Sequence, residues 1–361
     1  MIPVYKPSIS KKSTHYANDA IKSSWISSTG KYIDLASEKL SKIGGYKFVL
    51  LTNNGTSATH LVIRALKRQH PGIKRILVPS ACYVAAYNSL VYDNNNWDIE
   101  CVDLNLDTWN MEIKEVRQSD AIFAVHNLGN IINVPNLKDK FKCPVVEDNC
   151  EGLFGSYNNQ PSGTKSLCSS LSFYGNKNIT CGEGGAFLTN DEDIYNYALK
   201  LRGQGQSSSR FVHDELGYNY RMTNIQAALL LGQLEDSKAI MKDKERVFKR
   251  YKENLKNVKH IKIQEEEQNT SHSRWMFGVR FVGYTATNKS SAFFQEKGID
   301  TRPMFYSYKV HKHLNFHGED KNATIINKEV LVFPSFPDLS NLQIDYICEN
   351  IITFAKQYCL S

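Results

Sequence analysis

The sequence has no paired-cysteine motif. Its eight cysteines, at positions 82, 101, 143, 150, 168, 181, 348 and 359, are scattered without a C-x-x-C spacing. A zinc ribbon and a thioredoxin-like redox site are therefore not written here. Several cysteines fall in strand-like apolar stretches, such as Cys101 in "IECVDL" and Cys143 in "KCPVVED". Free thiols buried in a reducing cytoplasm are the expectation.

Long apolar runs are also missing, and none approaches the roughly 20 residues that a membrane-spanning helix needs. Residues 1 to 30 place Lys11, Lys12, Asp19 and Lys22 among the apolar positions, with no small-residue cleavage site, so no signal peptide and no membrane partner are expected. Positive charge is not concentrated. The formal charge is +7, but the densest basic run, "KDKERVFKRYKENLKNVK" (242 to 259), interleaves Asp243, Glu245 and Glu253. That is a solvated helix face rather than a nucleic-acid stripe. Finally, "NNGTSATH" (53 to 60) follows the first strand-like run where a dinucleotide-binding enzyme would carry G-x-G-x-x-G. An epimerase or dehydrogenase with a Rossmann site is disfavoured accordingly.

What the chain does contain is a regular alternation over 361 residues, enough for one large or two moderate domains. Strand-like runs recur with helical patterns between them: "KFVLLTN" (47 to 53), "RILVPS" (75 to 80), "WDIECVDL" (97 to 104), "AIFAVHN" (121 to 127), "PVVEDN" (144 to 149), "SLSFYGN" (170 to 176) and "GAFLTND" (185 to 191). Continuous apolar strands in this arrangement predict an α/β domain with a mostly parallel sheet covered on both faces. Thr223, three residues before Gln226, then opens one long helical pattern through residue 255 with a capping box. Beyond about residue 240 come a strand at 274 to 284, a helix at 290 to 300 that stops at Gly298, and an amphipathic terminal helix at 340 to 358. The expected division is a large domain over 1–238 and a smaller C-terminal α+β domain over 239–361.

In an open α/β sheet, ligands bind at the carboxyl ends of the strands. The residues there are informative. After the first strand, Gly55 permits close approach of backbone, and the following helix start offers amides to a phosphate. Tyr83 supplies a flat ring after the second strand. "PVVED" ends on Asp148, and the strand through Ser172 leads to Lys177 in "SFYGNKNITCGEGG". Singly, each feature has a commonplace explanation: an N-cap, a core tyrosine, a strand-end carboxylate, a solvated lysine. Together, a phosphate cradle, an aromatic plate, a carboxylate and a lysine match the needs of pyridoxal 5'-phosphate. The lysine forms a Schiff base with its aldehyde, and the carboxylate keeps its ring nitrogen protonated so that the ring acts as an electron sink.

"VVEDNCEG", "SFYGNKNITCGEGGAFLTND" and "HDELGYNYRMTNIQAALLLGQLE" resemble the nucleotide-sugar aminotransferases of the DegT group, and within them the perosamine synthases. The resemblance runs from "IPVYKPSIS" and "SSWISSTGKYI" to "IDTRPMFY" and "FPSFPDLSNLQIDYI". It implies the aspartate aminotransferase fold (fold type I) and transfer of an amino group from L-glutamate to C4 of a nucleotide-linked 4-keto-6-deoxyhexose. The cofactor would cycle through pyridoxamine 5'-phosphate. Acceptors with a 3-keto group, an N-acetylated 4-keto sugar or a cyclitol are the alternatives.

Carried over residue by residue, the resemblance makes Lys177 the Schiff-base lysine and Asp148 the partner of the ring nitrogen. Glu151, where many relatives carry glutamine, would lie near the phenolic oxygen, and Tyr83 would stack on the ring. Gly55, Thr56 and Ser172 would hold the phosphate. Asn219 in "GYNYRM" matches a residue that reaches the phosphate of a neighbouring subunit, which implies a homodimer with shared sites. Trp25, Ser27 and Ser28 match a loop near the sugar nucleotide. Arg302 is offered either to an anionic group or to a surface loop. The position of Lys177 is histidine in some relatives that dehydrate the sugar, so lysine there implies transfer. The histidines of "HKHLNFH" (311 to 317) have no completing carboxylate or cysteine set, and no metal site is expected.

Overall fold

The computed structural model describes residues 1–284 and 287–359. All seven expected strands form and make up one sheet: β1 (Phe48–Thr52), β2 (Arg75–Pro79), β3 (Asp98–Val102), β4 (Asp120–Val125), β5 (Val145–Asp148), β6 (Ser169–Ser172) and β7 (Gly185–Thr189). Their spatial order is β1-β7-β6-β5-β4-β2-β3, and a short strand at His317–Gly318 adds to the far edge beside β3. Only β7 runs against its neighbours β1 and β6. The pairs from β6 through β3 are parallel. The carboxyl ends of β1, β4, β5 and β6 therefore share one edge of the sheet, and β7 starts there, with Gly185 paired to both Thr52 and Ser172.

Strands β2, β4, β5 and β7 are buried at every position, so both faces of the sheet's middle are covered, whereas β3 toward the edge alternates between buried and more exposed residues. Phe187 and Leu188, consecutive in β7, point to opposite sides and are both buried. Phe187 joins the core under the helices Gly55–Gln69 and Glu192–Arg202; Leu188 joins the core under Lys31–Gly44 and Asn224–Glu235. Each such side chain contributes about 2 kcal/mol by leaving water.

The expected capping box is present: Thr223 accepts from the Gln226 amide, and the Gln226 side chain accepts from the Thr223 amide at 3.0 Å. The single long helix is not. Asn224–Glu235 and Ser237–Leu255 are separate helices that meet at Asp236, whose φ of −95° and ψ of 5° interrupt the first.

The C-terminal elements build a second, antiparallel sheet in the order Ile261–Ile263, Phe277–Phe281, Val330–Phe333, Arg302–Pro303. Its apolar face packs against the helices Ser237–Leu255 and Asn341–Tyr358 through an aromatic cluster in which Tyr251 stacks on Phe277 at 4.4 Å and Phe281 meets Phe354 edge-on at 4.9 Å. The strand expected at 274 to 284 is the central one, shortened to Phe277–Phe281. The chain's first residues also lie on this unit: the Ile2 amide donates to the Gly298 carbonyl at 2.7 Å, and the Ser335 amide to the Val4 carbonyl at 3.2 Å. Segments 2–5 and 317–318 thus each reach across to the other unit, the latter along β3 and the former beside the carboxyl edge of the large sheet, where Tyr5 donates to the Lys177 carbonyl at 2.8 Å.

Candidate active site

A cleft of about 530 Å³ opens at that edge. Every cofactor contact expected from within the large sheet lines it: Gly55 and Thr56 after β1, Tyr83 after β2, Asp148 at the end of β5 with Glu151 just beyond, and Ser172 and Lys177 after β6.

The loop that carries Lys177 is shaped by its own backbone. The Phe173 amide donates to the Gly184 carbonyl at 2.8 Å and the Cys181 amide to the Phe173 carbonyl at 3.1 Å, closing a loop between β6 and β7. Within it, the Lys177 amide donates to the Tyr174 carbonyl at 2.9 Å, a turn that sends the side chain into the cleft. The Lys177 amine lies 3.6 Å from Glu151 Oε1 and 3.8 Å from the centre of the Trp275 ring.

Glu151 is buried, and burial pushes its carboxyl up to about 7; the Asp148 carboxylate adds to this, whereas Lys177 and the Leu128 amide pull the other way. That amide donates to Glu151 Oε2 at 2.9 Å, from a residue held in the left-handed region at φ 57°. For a leucine this conformation costs about 1 kcal/mol or more. Asp148 is also buried, and its Oδ1 accepts the Cys150 amide at 3.0 Å.

The start of the helix Gly55–Gln69 depends on a missing side chain. A Cβ on Gly55 would stand 2.7 Å from Ser172 Cβ and 3.0 Å from its hydroxyl oxygen, so only glycine lets the helix Gly55–Gln69 start against β6. Asn54 caps that helix, its side chain accepting the Ser57 amide at 2.8 Å. The first intrahelical bond is from the Ala58 amide to the Asn54 carbonyl, which leaves the Gly55 and Thr56 amides ahead of it to meet an anion. The donors, carboxylate, ring and amine that line the cleft fit pyridoxal phosphate in chemistry and in size.

A sequence profile of the DegT/DnrJ/EryC1/StrS aminotransferase family matches residues 7–352. The chain belongs to this family. Relatives of this aminotransferase include the GDP-perosamine synthase of Escherichia coli O157:H7, 34% identical with 98% of each chain covered. The GDP-perosamine synthase of Vibrio cholerae is 31% identical, with 97% of this chain and 98% of the relative covered. Among solved structures, the Helicobacter pylori aminotransferase PseC of pseudoaminic acid biosynthesis superposes with a TM-score of 0.91 at 21% identity, over 99% of this chain and all of the other. A GDP-4-keto-6-deoxymannose-3-dehydratase variant with bound GDP-perosamine superposes with a TM-score of 0.89 at 22% identity, over 97% of this chain and all of the other. The fold class, the transaminase activity and the pyridoxal-phosphate cofactor stand as expected.

The remaining expected residues do not reach the cleft within one chain. Asn219 is exposed, bridged to Gly203, and its carbonyl accepts Asn53 Nδ2 at 3.5 Å. Trp25 is exposed, and its carbonyl and that of Ser27 accept from the Asn224 side chain and amide at 2.6 Å each. Ser28 accepts from Arg221 at 3.2 Å and lines a separate, open groove with Arg210 and His213. Arg302 is exposed and 3.5 Å from Asp300. Of the "HKHLNFH" histidines, His313 pairs with Asn88 at 2.7 Å and His317 with Asp98 at 2.6 Å.

Two cleft residues carried no local signal. Trp275 sits in a stretch that reads as a strand, and Phe305 in a loop of the small unit; both arrive through the docking of that unit on the large sheet.

Proposed function

We propose that this aminotransferase moves the amino group of L-glutamate to C4 of a nucleotide-linked 4-keto-6-deoxyhexose, giving a GDP-perosamine or a UDP/dTDP-viosamine type product. The observation that carries the reading is the Lys177 amine, 3.6 Å from Glu151 in a cleft that Gly55, Thr56, Asp148 and Ser172 also line. The similarity to two GDP-perosamine synthases at more than 30% identity supports the choice of sugar.

Pyridoxal phosphate, when bound, supplies an electron sink for the carbanion formed at the amino donor. This chain's residues do the rest. The amides of Gly55 and Thr56, with the Ser172 hydroxyl, would take the phosphate. Asp148 would hold a proton on the ring nitrogen; at about 4 Å and an effective dielectric near 20, that pairing has a Coulomb term of about 4 kcal/mol before desolvation. Tyr83, more than half exposed, would cover the ring on the open side. Lys177 Nζ would take the proton from the donor's α-carbon and return it to the cofactor, as general base and then acid. Glu151, with its carboxyl pushed up to about 7, is both acceptor and donor near neutral pH and would face the phenolic oxygen.

Asn219 would reach the phosphate bound by a second copy, and Trp25, Ser27 and Ser28 would lie near the sugar nucleotide, so the working unit would be a homodimer. No helix among the described residues is long and apolar enough to cross a membrane. All eight cysteines are free, in keeping with a cytoplasmic enzyme.

The test is product analysis. Purified protein with pyridoxal phosphate and L-glutamate is supplied with GDP- and UDP-linked 4-keto-6-deoxyhexoses, and with an N-acetylated 4-keto sugar, and the products are read by mass spectrometry and NMR. An amino group at C4 of a 6-deoxyhexose is expected. No aminated product, amination at C3, or amination of the N-acetylated sugar alone would overturn the reading.

A further inference from the structure

Trp275 touches the Lys177 loop at two points. Its indole N–H donates to the Asn176 carbonyl at 2.8 Å, fixing the residue before the lysine. The centre of its ring lies 3.8 Å from the Lys177 amine, which is also 3.6 Å from Glu151 Oε1. The tryptophan is itself held from several directions. Lys244, buried in the helix Ser237–Leu255, donates to the Trp275 carbonyl at 2.8 Å and also to the Ser335 carbonyl. Arg274, in the left-handed region at φ 61°, is anchored to Glu245 at 2.7 Å and Glu266 at 2.8 Å. Ser273 donates from its hydroxyl to the Glu151 carbonyl at 2.5 Å.

An aromatic face attracts a cation through its quadrupole, and the attraction is strongest for tryptophan and in desolvated sites. The carboxyl of Glu151 cannot supply the full counter-charge, because burial leaves it partly protonated near neutral pH. The ring does not titrate. The geometry points to Trp275 as the positioning residue that aims the Lys177 amine and favours its protonated form. This rests on Lys177 being the reactive lysine of the proposed reaction, in which its nitrogen must hold a proton between two transfers.

Other groups face the amine and stay constant when Trp275 is changed. Glu151, Asp148 and Cys150 lie on the β5 side; Tyr174 and Glu183 lie in the lysine's own loop; Tyr83 lies across the cleft. Tyr5 donates to the Lys177 carbonyl, and Lys244 donates to the Trp275 carbonyl.

The test uses the cofactor-free protein. Lysines are labelled with trace acetic anhydride across a pH series, the modified peptides are quantified by mass spectrometry, and exposed lysines serve as internal references. In Trp275→Leu, the midpoint of the Lys177 labelling profile is expected to move to lower pH by about one unit, with the alkaline plateau rate unchanged. Trp275→Phe, which keeps a ring, is expected to move it by less than about half as much. If Trp275→Leu fails to fold, biosynthetic replacement of tryptophan by progressively fluorinated analogues keeps the shape while draining the ring face, and the midpoint is expected to fall stepwise with fluorine number.

An unmoved midpoint in either series overturns the proposal. So does a rate that rises equally at every pH, which would mean that the tryptophan only restricts access. Borohydride fixation of pyridoxal phosphate on the holoenzyme is scored separately. Label on Lys177 with an unmoved midpoint removes only the role of Trp275, whereas label elsewhere removes the reading beneath it.

Discussion

Tyr5 donates its phenolic proton to the main-chain carbonyl of Lys177 across 2.8 Å, although 172 positions separate the two in sequence. Burial pushes the phenol's ionisation well up, so it remains a donor throughout the working pH range. Tyr5→Phe removes this bond while keeping the ring. Stability is expected to fall by about 1 kcal/mol in denaturant titration, with a several-fold loss of kcat at unchanged KM for glutamate. Unchanged kcat would mean that the lysine loop holds its shape unaided.

Glu151 gives a pH dependence with a definite sign. Its carboxyl is raised from 4.5 to about 7 in the folded, cofactor-free chain, so between those values the folded state binds the extra proton. Stability from this group is fully present below the ordinary carboxyl range and is lost as pH rises toward about 7. The loss is on the order of 3 kcal/mol at most, since one unit is worth about 1.4 kcal/mol. Glu151→Gln is expected to remove this downward slope, read as the difference between the two proteins' denaturation free energies across the pH 4 to 8 range. Parallel curves would refute the shift.

Gly55 offers a steric test of the phosphate cradle. In Gly55→Ala, the new Cβ meets Ser172 Cβ at 2.7 Å, and the helix start must retreat from β6. Affinity for pyridoxal phosphate, followed by absorbance titration, is expected to weaken about tenfold or more, the equivalent of one hydrogen bond to a charged group. Full affinity would place the phosphate elsewhere.

Asp148→Asn preserves the shape and an acceptor for the Cys150 amide but removes the charge. Cofactor still binds through its phosphate. The half-reaction with glutamate, measured in a single turnover at saturating cofactor, is expected to slow by roughly 100-fold, because part of a Coulomb term of about 4 kcal/mol is lost from the transition state. An unchanged rate would deny Asp148 the ring-nitrogen role.

The parts of the fold that carry these residues were legible because strand ends are local features. Asp148, Ser172 and Gly55 each stand at or within three residues of a strand's last residue, so finding the strands found them. The break at Asp236 was not legible: no glycine or proline marks it, and the helical pattern runs on through it. Trp275 and Tyr5 were invisible for a different reason. They reach Lys177 only after the small unit and the first residues of the chain dock against the large sheet, and alternation in "RWMFGVRF" marks tryptophan as core whatever it touches. Asn219, Trp25, Ser27, Ser28 and Arg302 came from the resemblance alone, and within one chain they lie outside the lysine cleft.

The account rests most heavily on the bond that Lys177 would make to the cofactor's aldehyde carbon. Loading the protein with pyridoxal phosphate, reducing with borohydride, and mapping the labelled peptide by mass spectrometry tests it directly. The account predicts one pyridoxyl group per chain, on the peptide containing Lys177 and absent from Lys177→Ala. A label on any other lysine, or a protein that reduces without labelling, would contradict it.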